Sequence, residues 1–118
     1  MGTFVLSAGY VDAYYRKARA VRETLRADFA RVFDTADAIA LPTSPVPSWK
    51  FGEKADPVSM YAADIFTVPM NLAGIPAMSV PSGAVERDGQ QLPVGFQLIA
   101  PHRGEETLFQ IGKDIENV

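Results

Sequence analysis

One carboxylate stands out among the residues that could do chemistry. Asp64 lies in the long apolar segment 60–83, MYAADIFTVPMNLAGIPAMSVPSG, which contains no basic residue that could pair with it. Because an unpaired carboxylate is costly to bury, we expect a partner from elsewhere in the fold, from water or from a cationic ligand. Asp64 is therefore the candidate ligand-binding residue. The alternative is a helix residue that faces water or caps a neighbouring loop.

Three further side chains raise the question of a nucleophile and its base. Ser79 and Ser82 lie near a predicted turn, but no base is near them and no serine of the chain lies in a glycine-rich loop. A serine nucleophile needs such a base, so we expect these hydroxyls to satisfy turn amides. His102, in the segment PHRG, is predicted to be a surface loop residue. The absence of cysteine excludes thiol catalysis and disulfides, and a single histidine disfavours a histidine-based metal site.

Basic residues are concentrated along the first predicted helix. They are Arg16, Lys17, Arg19, Arg22, Arg26 and Arg31. The acids available to oppose them are Asp12, Glu23 and Asp28. The functional interpretation is contact with RNA or with an acidic protein partner. The alternative, which we favour, is a solvated face with ion pairs between neighbouring turns, because the net charge of −3 predicts no general affinity for nucleic acid.

The first half of the chain is predicted to form a long helix, a short strand and a loop. Helix 9–33 has an apolar stripe at helical spacing, with Ser7 as N-cap and Asp12 in the first turn. The stripe consists of Tyr10, Tyr14, Ala18, Val21, Leu25, Phe29 and Val32. A buried strand is expected over 38–41. The proline-rich segment that follows is predicted to be an extended loop that Trp49 and Phe51 anchor to a surface.

The second half is predicted to form a helix, a hairpin and a last helix. Helix 58–72 has Pro69 late in it as a kink or terminator, and a strand follows. Asp88-Gly89 is a hairpin dipeptide, so segments 77–85 and 94–100 are expected to pair antiparallel. A final helix begins at Glu105. The predicted fold class is α/β, with helices packed on part of a mixed β-sheet, and residues 1–118 are expected to form a single unit.

Four sequence blocks, in order and at matching spacing, resemble a known family. They are LSAGYVDAYYRKA at 6–18, DAIALPTSPVPS at 37–48, DIFTVPMNLAGIPAMSVPSG at 64–83 and LPVGFQLIAPHRGEETL at 92–108. The chain thus resembles the C-terminal region of the amidase signature family, in particular the A subunits of glutamyl-tRNA(Gln)/aspartyl-tRNA(Asn) amidotransferases. The family's catalytic lysine and two serines lie in a glycine- and serine-rich stretch upstream of this region. The resemblance therefore implies a C-terminal fragment that holds no catalytic residue.

The resemblance also implies a function for the parent enzyme. Such enzymes hydrolyse glutamine through an acyl-enzyme, and the ammonia amidates Glu-tRNA(Gln) or Asp-tRNA(Asn). ATP and Mg are used by a partner protein of the complex, so this chain is expected to hold no cofactor of its own. Its expected partners are the B and C subunits, with tRNA contacts mainly on B, and the rest of the amidase. Asp64 corresponds to the aspartate that holds the α-ammonium of glutamine, and the family's carboxylate-binding arginine is absent.

Two other functions remain open, as does the state of the isolated chain. The chain could belong to another amidase-signature hydrolase, acting on an aryl or alkyl amide, or be a non-catalytic binding or assembly module. No signal peptide is visible and no apolar stretch reaches the roughly 18 residues that span a bilayer, so the cytoplasm is the expected location. Without its expected partners the chain should self-associate. The apolar residues expected to lack cover are Tyr10, Tyr14, Val21, Leu25, Phe29, Ile65, Phe66, Leu98 and Ile99.

Overall fold

The computed structural model describes residues 14–53 and 56–116. In chain order its elements are α1 (Arg16–Phe33), β1 (Ile39–Pro42), α2 (Pro57–Ala63), α3 (Val68–Ala73), β2 (Ala77–Arg87), β3 (Gln90–Ile99) and α4 (Glu105–Glu116). The expected N-cap Ser7, the first-turn acid Asp12 and Tyr10 of the apolar stripe lie outside these ranges. None of the described helices is long and apolar enough to cross a membrane.

The three strands form one sheet in the order β1-β3-β2, and both pairings are antiparallel. The predicted hairpin is confirmed and extends to Arg87 and Gln90, which face each other next to the turn. Asp88 has φ 53° and Gly89 has φ 72°, as a two-residue hairpin turn with two left-handed positions requires. The combination of helices with a sheet, on which α4 packs, confirms the predicted α/β class, although the described sheet is antiparallel and not mixed.

The core lies between the sheet and α4. Leu98, Ala100 and Leu108 are buried, and Met78, Phe96, Ile111 and Ile115 pack against them. The prediction that Leu98 and Ile99 would lack cover is wrong, because both are buried in this core. Helix α4 can approach the sheet closely because residue 112 is a glycine and has no side chain. A Cβ there would lie 3.0 Å from Met78 Cε and 3.2 Å from Val80 Cγ1. The predicted final helix is therefore confirmed, with its apolar stripe against the sheet.

Helix α1 forms as predicted, but its stripe is not covered. None of its residues is buried, and Val21 and Val32 are exposed. Its tertiary contacts are mainly with α3, while the Phe29 and Phe33 rings stack on each other with centroids 6.4 Å apart. In the described part of the chain, α1 therefore leaves an apolar face open to solvent.

Two local predictions were wrong. The single helix expected over 58–72 is two helices, α2 and α3, joined by a turn at 64–67. Pro69 lies in the first turn of α3, where the missing N–H costs nothing and the fixed φ suits a helix start; it begins a helix and does not end one. Phe51 does not anchor the loop, because its side chain is fully exposed at 109%.

Ion pairs, and not Phe51, attach the proline-rich loop to the rest of the fold. Lys50 Nζ lies 2.8 Å from Asp88 Oδ2, and the Arg87 guanidinium pairs with Glu53. These two ion pairs join the loop to the hairpin end. Trp49, expected as the other anchor, lines the groove beside the loop.

Candidate functional site

The turn at 64–67, hereafter the Asp64 turn, is closed by backbone hydrogen bonds. The Asp64 N–H donates to the Tyr61 carbonyl at 3.1 Å, which ends α2. The Asp64 carbonyl accepts from the N–H groups of Thr67 at 3.0 Å and Val68 at 3.1 Å, and from Thr67 Oγ1 at 3.2 Å. The N–H and the carbonyl of Asp64 are therefore both hydrogen-bonded, which fixes the backbone position from which its side chain extends.

The Asp64 side chain is exposed, which agrees with the alternative of a helix residue that faces water and not with a carboxylate buried in the apolar segment. The residue lies at the end of α2, directly after the buried Ala63, and water can solvate its carboxylate. Within residues 14–53 and 56–116, no protein group hydrogen-bonds that carboxylate. Its acceptor oxygens thus remain available to a ligand, and its binding role stays a prediction.

The apolar residues that neighbour Asp64 in the sequence are also exposed. Tyr61 is 76% exposed and Ile65 is 59% exposed, and Met60 and Val68 are exposed as well. An acid in such surroundings is well hydrated only while the apolar residues themselves remain open to water. A second surface that covered them would remove that water and strengthen any charge contact made by Asp64.

A buried glutamine, missed by the sequence analysis, holds the Asp64 turn to the sheet. Gln97 is 5% exposed, and its Nε2 donates to the Phe66 carbonyl at 2.7 Å. On the other side of Asp64, Ser44 Oγ lies 3.5 Å from the Ala63 carbonyl. The available sequence signal was a single amide-bearing residue in the apolar strand segment VGFQLI, since a buried polar side chain needs a partner.

A groove of about 800 Å³ lies beside this turn. Loop residues 42–49, Phe66, and residues of β2 and β3 line it. Two of the lining hydroxyls, Thr43 Oγ1 and Ser79 Oγ, are 2.6 Å apart, so Ser79 bonds a hydroxyl and not the turn amide we expected. Gly95 makes room for this pair, because a Cβ there would lie 2.5 Å from Ser79 Oγ.

The groove holds hydroxyls but no base. Ser79 and Ser82 both line it, yet none of its lining residues in the described ranges is titratable. A hydroxyl without a neighbouring base is a weak nucleophile. Asp64 is not among the lining residues, although Phe66 of the same turn is. These residues can therefore shape a binding surface, but they cannot activate a serine.

Two arginines on the basic side of α1 hydrogen-bond the end of α3. Arg22 Nε donates to the Leu72 carbonyl at 2.9 Å, and Arg26 Nε donates to the Ala73 carbonyl at 2.8 Å. These carbonyls belong to the last turn of α3, where carbonyl groups lack partners within the helix. The expected solvated face with ion pairs is confirmed only in part. Arg26 pairs with Glu23 and Arg31 pairs with Asp28, both on the surface. Arg22 and Arg26, however, also cap α3.

Among the described residues, the carboxyl of Glu53 in the loop before α2 has a clearly shifted pKa. The Lys50 backbone N–H, which donates to Glu53 Oε2 at 2.9 Å, lowers the pKa of the Glu53 carboxyl, and the Arg87 guanidinium lowers that pKa further. His102 is exposed as predicted, at the edge of a second cavity of about 640 Å³ beside α1. In residues 14–53 and 56–116, no three metal-ligating side chains come together.

Comparison with known proteins gives consistent matches. Residues 1–109 match the family model described as Amidase. The A subunit of the glutamyl-tRNA(Gln) amidotransferase of Akkermansia muciniphila is 52% identical over 113 residues, which is 95% of this chain and 24% of that protein. The protein of the same name from Geobacillus stearothermophilus is 52% identical over 117 residues, covering 98% of this chain and 23% of that protein.

A solved structure agrees with these matches. The crystal structure of the A subunit of glutamyl-tRNA(Gln) amidotransferase from Thermotoga maritima aligns with a TM-score of 0.70 and 48% identity, and covers 86% of this chain and 22% of that chain. The chain thus spans about a quarter of the length of the curated relatives it matches. The match lies in their C-terminal region.

Proposed function

This chain belongs to the amidase family, and we propose that it works as the C-terminal part of the A subunit of a glutamine-dependent tRNA amidotransferase. Relatives that are 52% identical are named as A subunits of glutamyl-tRNA(Gln) amidotransferases. In the proposed enzyme, glutamine hydrolysis supplies ammonia for amidating Glu-tRNA(Gln) or Asp-tRNA(Asn) in the cytoplasm. The B and C subunits complete the complex, and ATP and Mg are used by a partner protein and not by this chain.

The observation that carries the proposal is the exposed carboxylate on a turn that backbone hydrogen bonds of Asp64 close. Asp64 has acceptor oxygens that no protein group uses in the described residues, and exposed Tyr61 and Ile65 flank it. We propose that the remaining part of the enzyme covers these apolar side chains. Asp64 would then face the α-ammonium of glutamine in a site with little water, where a charge-assisted hydrogen bond is strong.

The same proposal assigns the chemistry to other parts of the enzyme. The groove beside the Asp64 turn contains hydroxyls without a base, so it can contribute to a pocket wall but not to the attack on the amide. The nucleophile and the base would come from the three quarters of the relatives' length that this chain does not match. The chain alone should therefore release no ammonia from glutamine.

A full-length protein that carries this chain as its C-terminal quarter tests the proposal. Assembled with the B and C subunits, it should hydrolyse glutamine and amidate Glu-tRNA(Gln) or Asp-tRNA(Asn) in the presence of ATP and Mg. The same preparation is offered aryl and alkyl amides. Faster turnover of those amides than of glutamine would favour another amidase-signature hydrolase, and no turnover of any amide would favour a binding or assembly module.

A further inference from the structure

We infer that Gln97 is a positioning residue for glutamine binding, because it fixes the turn that carries Asp64. The inference rests on the proposed function and assigns the chain a second residue in the same site. Gln97 does not touch the proposed substrate. It acts through the backbone of the Asp64 turn, so its effect must be visible in the binding of the substrate ammonium.

The hydrogen bond has only one possible donor. The Phe66 carbonyl is an acceptor, and of the two ends of the Gln97 amide only Nε2 carries hydrogens. The 2.7 Å separation therefore defines how the Gln97 side chain is oriented. Because Gln97 is 5% exposed, water does not readily replace it, and the loss of this donor would leave the Phe66 carbonyl poorly satisfied.

Gln97 is held in place by a neighbouring strand on each side. It lies in the central strand β3, where it is paired with Leu41 of β1 on one side and with Ser79 of β2 on the other. The sheet therefore sets its position from both edges. The Asp64 turn, in contrast, lies between two helices of seven and six residues, which are too short to be rigid by themselves.

The position of the Asp64 carboxylate depends on this attachment. Within residues 14–53 and 56–116 no protein group binds that carboxylate, so only the backbone of its turn determines the space that the side chain can reach. Phe66 is the third residue of the turn, and Asp64 closes it through the N–H groups of Thr67 and Val68. The contact from Ser44 to Ala63, at 3.5 Å, is too long to replace the Gln97 bond.

The test is made in the full-length protein within its complex, with Gln97→Met as the main variant. Methionine has nearly the same length and shape but donates no hydrogen bond. The KM for glutamine should rise roughly three- to tenfold, the loss expected for one hydrogen bond, while kcat changes little. With ammonium chloride in place of glutamine the rate should be unchanged, because free ammonia does not use the site. Gln91→Met, an exposed position on the same strand, is the matched control.

A double variant shows whether Gln97 acts through Asp64. Once Asp64→Asn has removed the carboxylate, adding Gln97→Met should change the KM by less than about twofold, since coupled sites are not additive. Full multiplication of the two effects would overturn the inference, as would an unchanged KM in a folded Gln97→Met protein. If Asp64→Asn alone leaves glutamine use unchanged, the proposed function of Asp64 fails instead.

A second variant covers the case in which Gln97→Met does not fold. Gln97→Asn keeps the amide but is one methylene shorter, so it cannot reach the Phe66 carbonyl from the same backbone position. It should give the same rise in KM with the same unchanged ammonia-dependent rate. Loss of folding in both variants would assign Gln97 to the stability of the sheet and would overturn the positioning role.

Discussion

Arg26 closes the C-terminal end of α3, because its Nε lies 2.8 Å from the carbonyl oxygen of Ala73. Arg22 does the same for the preceding carbonyl, that of Leu72. A helix of six residues has few hydrogen bonds of its own, and its last carbonyls have no partner within it. The two guanidinium groups therefore attach α3 to the otherwise exposed helix α1.

We expect Arg26→Met to destabilise the folded protein. The variant keeps the aliphatic stem but leaves the Ala73 carbonyl without its charged donor, a loss of about 1–2 kcal/mol in a partly exposed position. Urea unfolding of the full-length protein measures the change. Arg31→Met is the matched control on the same helix, because Arg31 makes only a surface ion pair, which contributes little. Equal losses in the two variants would contradict the capping role.

Asp64→Asn should weaken glutamine use in the assembled enzyme without unfolding it. The variant removes the charge that we propose lies opposite the substrate ammonium, a loss of about 1.5–3 kcal/mol or roughly ten- to hundredfold in binding. The side chain is exposed, so the fold should tolerate the change. Glutamine-dependent kinetics check this, with Asp114→Asn as an exposed control on α4. Unchanged glutamine kinetics in the Asp64 variant would rule out the binding role.

The stability that comes from attaching the loop to the hairpin should decrease at acidic pH. The pKa of Glu53 is lowered from 4.5 by its bonds to Lys50 and Arg87. A carboxyl whose pKa is lower in the folded state stabilises that state at pH values above 4.5, and the contribution is lost as the pH falls through the folded-state pKa. When the free energy of unfolding is measured between pH 7 and pH 3, it should decrease less steeply for Glu53→Gln than for the parent protein.

The expected difference is small, because the Glu53 side chain is exposed and solvent screens its interactions. Glu86→Gln, at an exposed position on β2, is the control and should leave the pH dependence unchanged. A Glu53→Gln variant with the same acid-side slope as the parent would contradict the lowered pKa of Glu53 and the bonds from Lys50 and Arg87 that cause it.

The isolated chain should self-associate or aggregate. Helix α1 has no buried residue, and Val21 and Val32 are open to solvent, so an apolar face is left without cover in the described part of the chain. Light scattering at micromolar concentration should show dimers or larger species. Val21→Lys should reduce association, whereas Ala27→Lys, on another face of the same helix, should not. A cooperatively unfolding monomer that binds no hydrophobic dye would contradict this expectation.

The hairpin and the amphipathic helices follow from sequence alone, because their causes are local. Asp88 and Gly89 can both take positive φ, and this pair alone predicts the turn and the pairing of its flanks. The apolar spacing of α4 likewise predicts the face that lies against the sheet. The four sequence blocks also predict the family from sequence alone, because the match depends on the order and spacing of residues and not on which residues are in contact.

Two features could be known only from the tertiary structure. They are the hydrogen bond that holds the Asp64 turn to the sheet and the exposure of the Asp64 carboxylate to solvent. The donor to Phe66 comes from Gln97, 31 positions away, and the donor to Leu72 comes from Arg22, 50 positions away. Local periodicity carries no information about partners at such distances. The exposure of Asp64 has the same origin. Its neighbours in sequence are apolar, but burial depends on which other elements pack over them, and in the described chain nothing does.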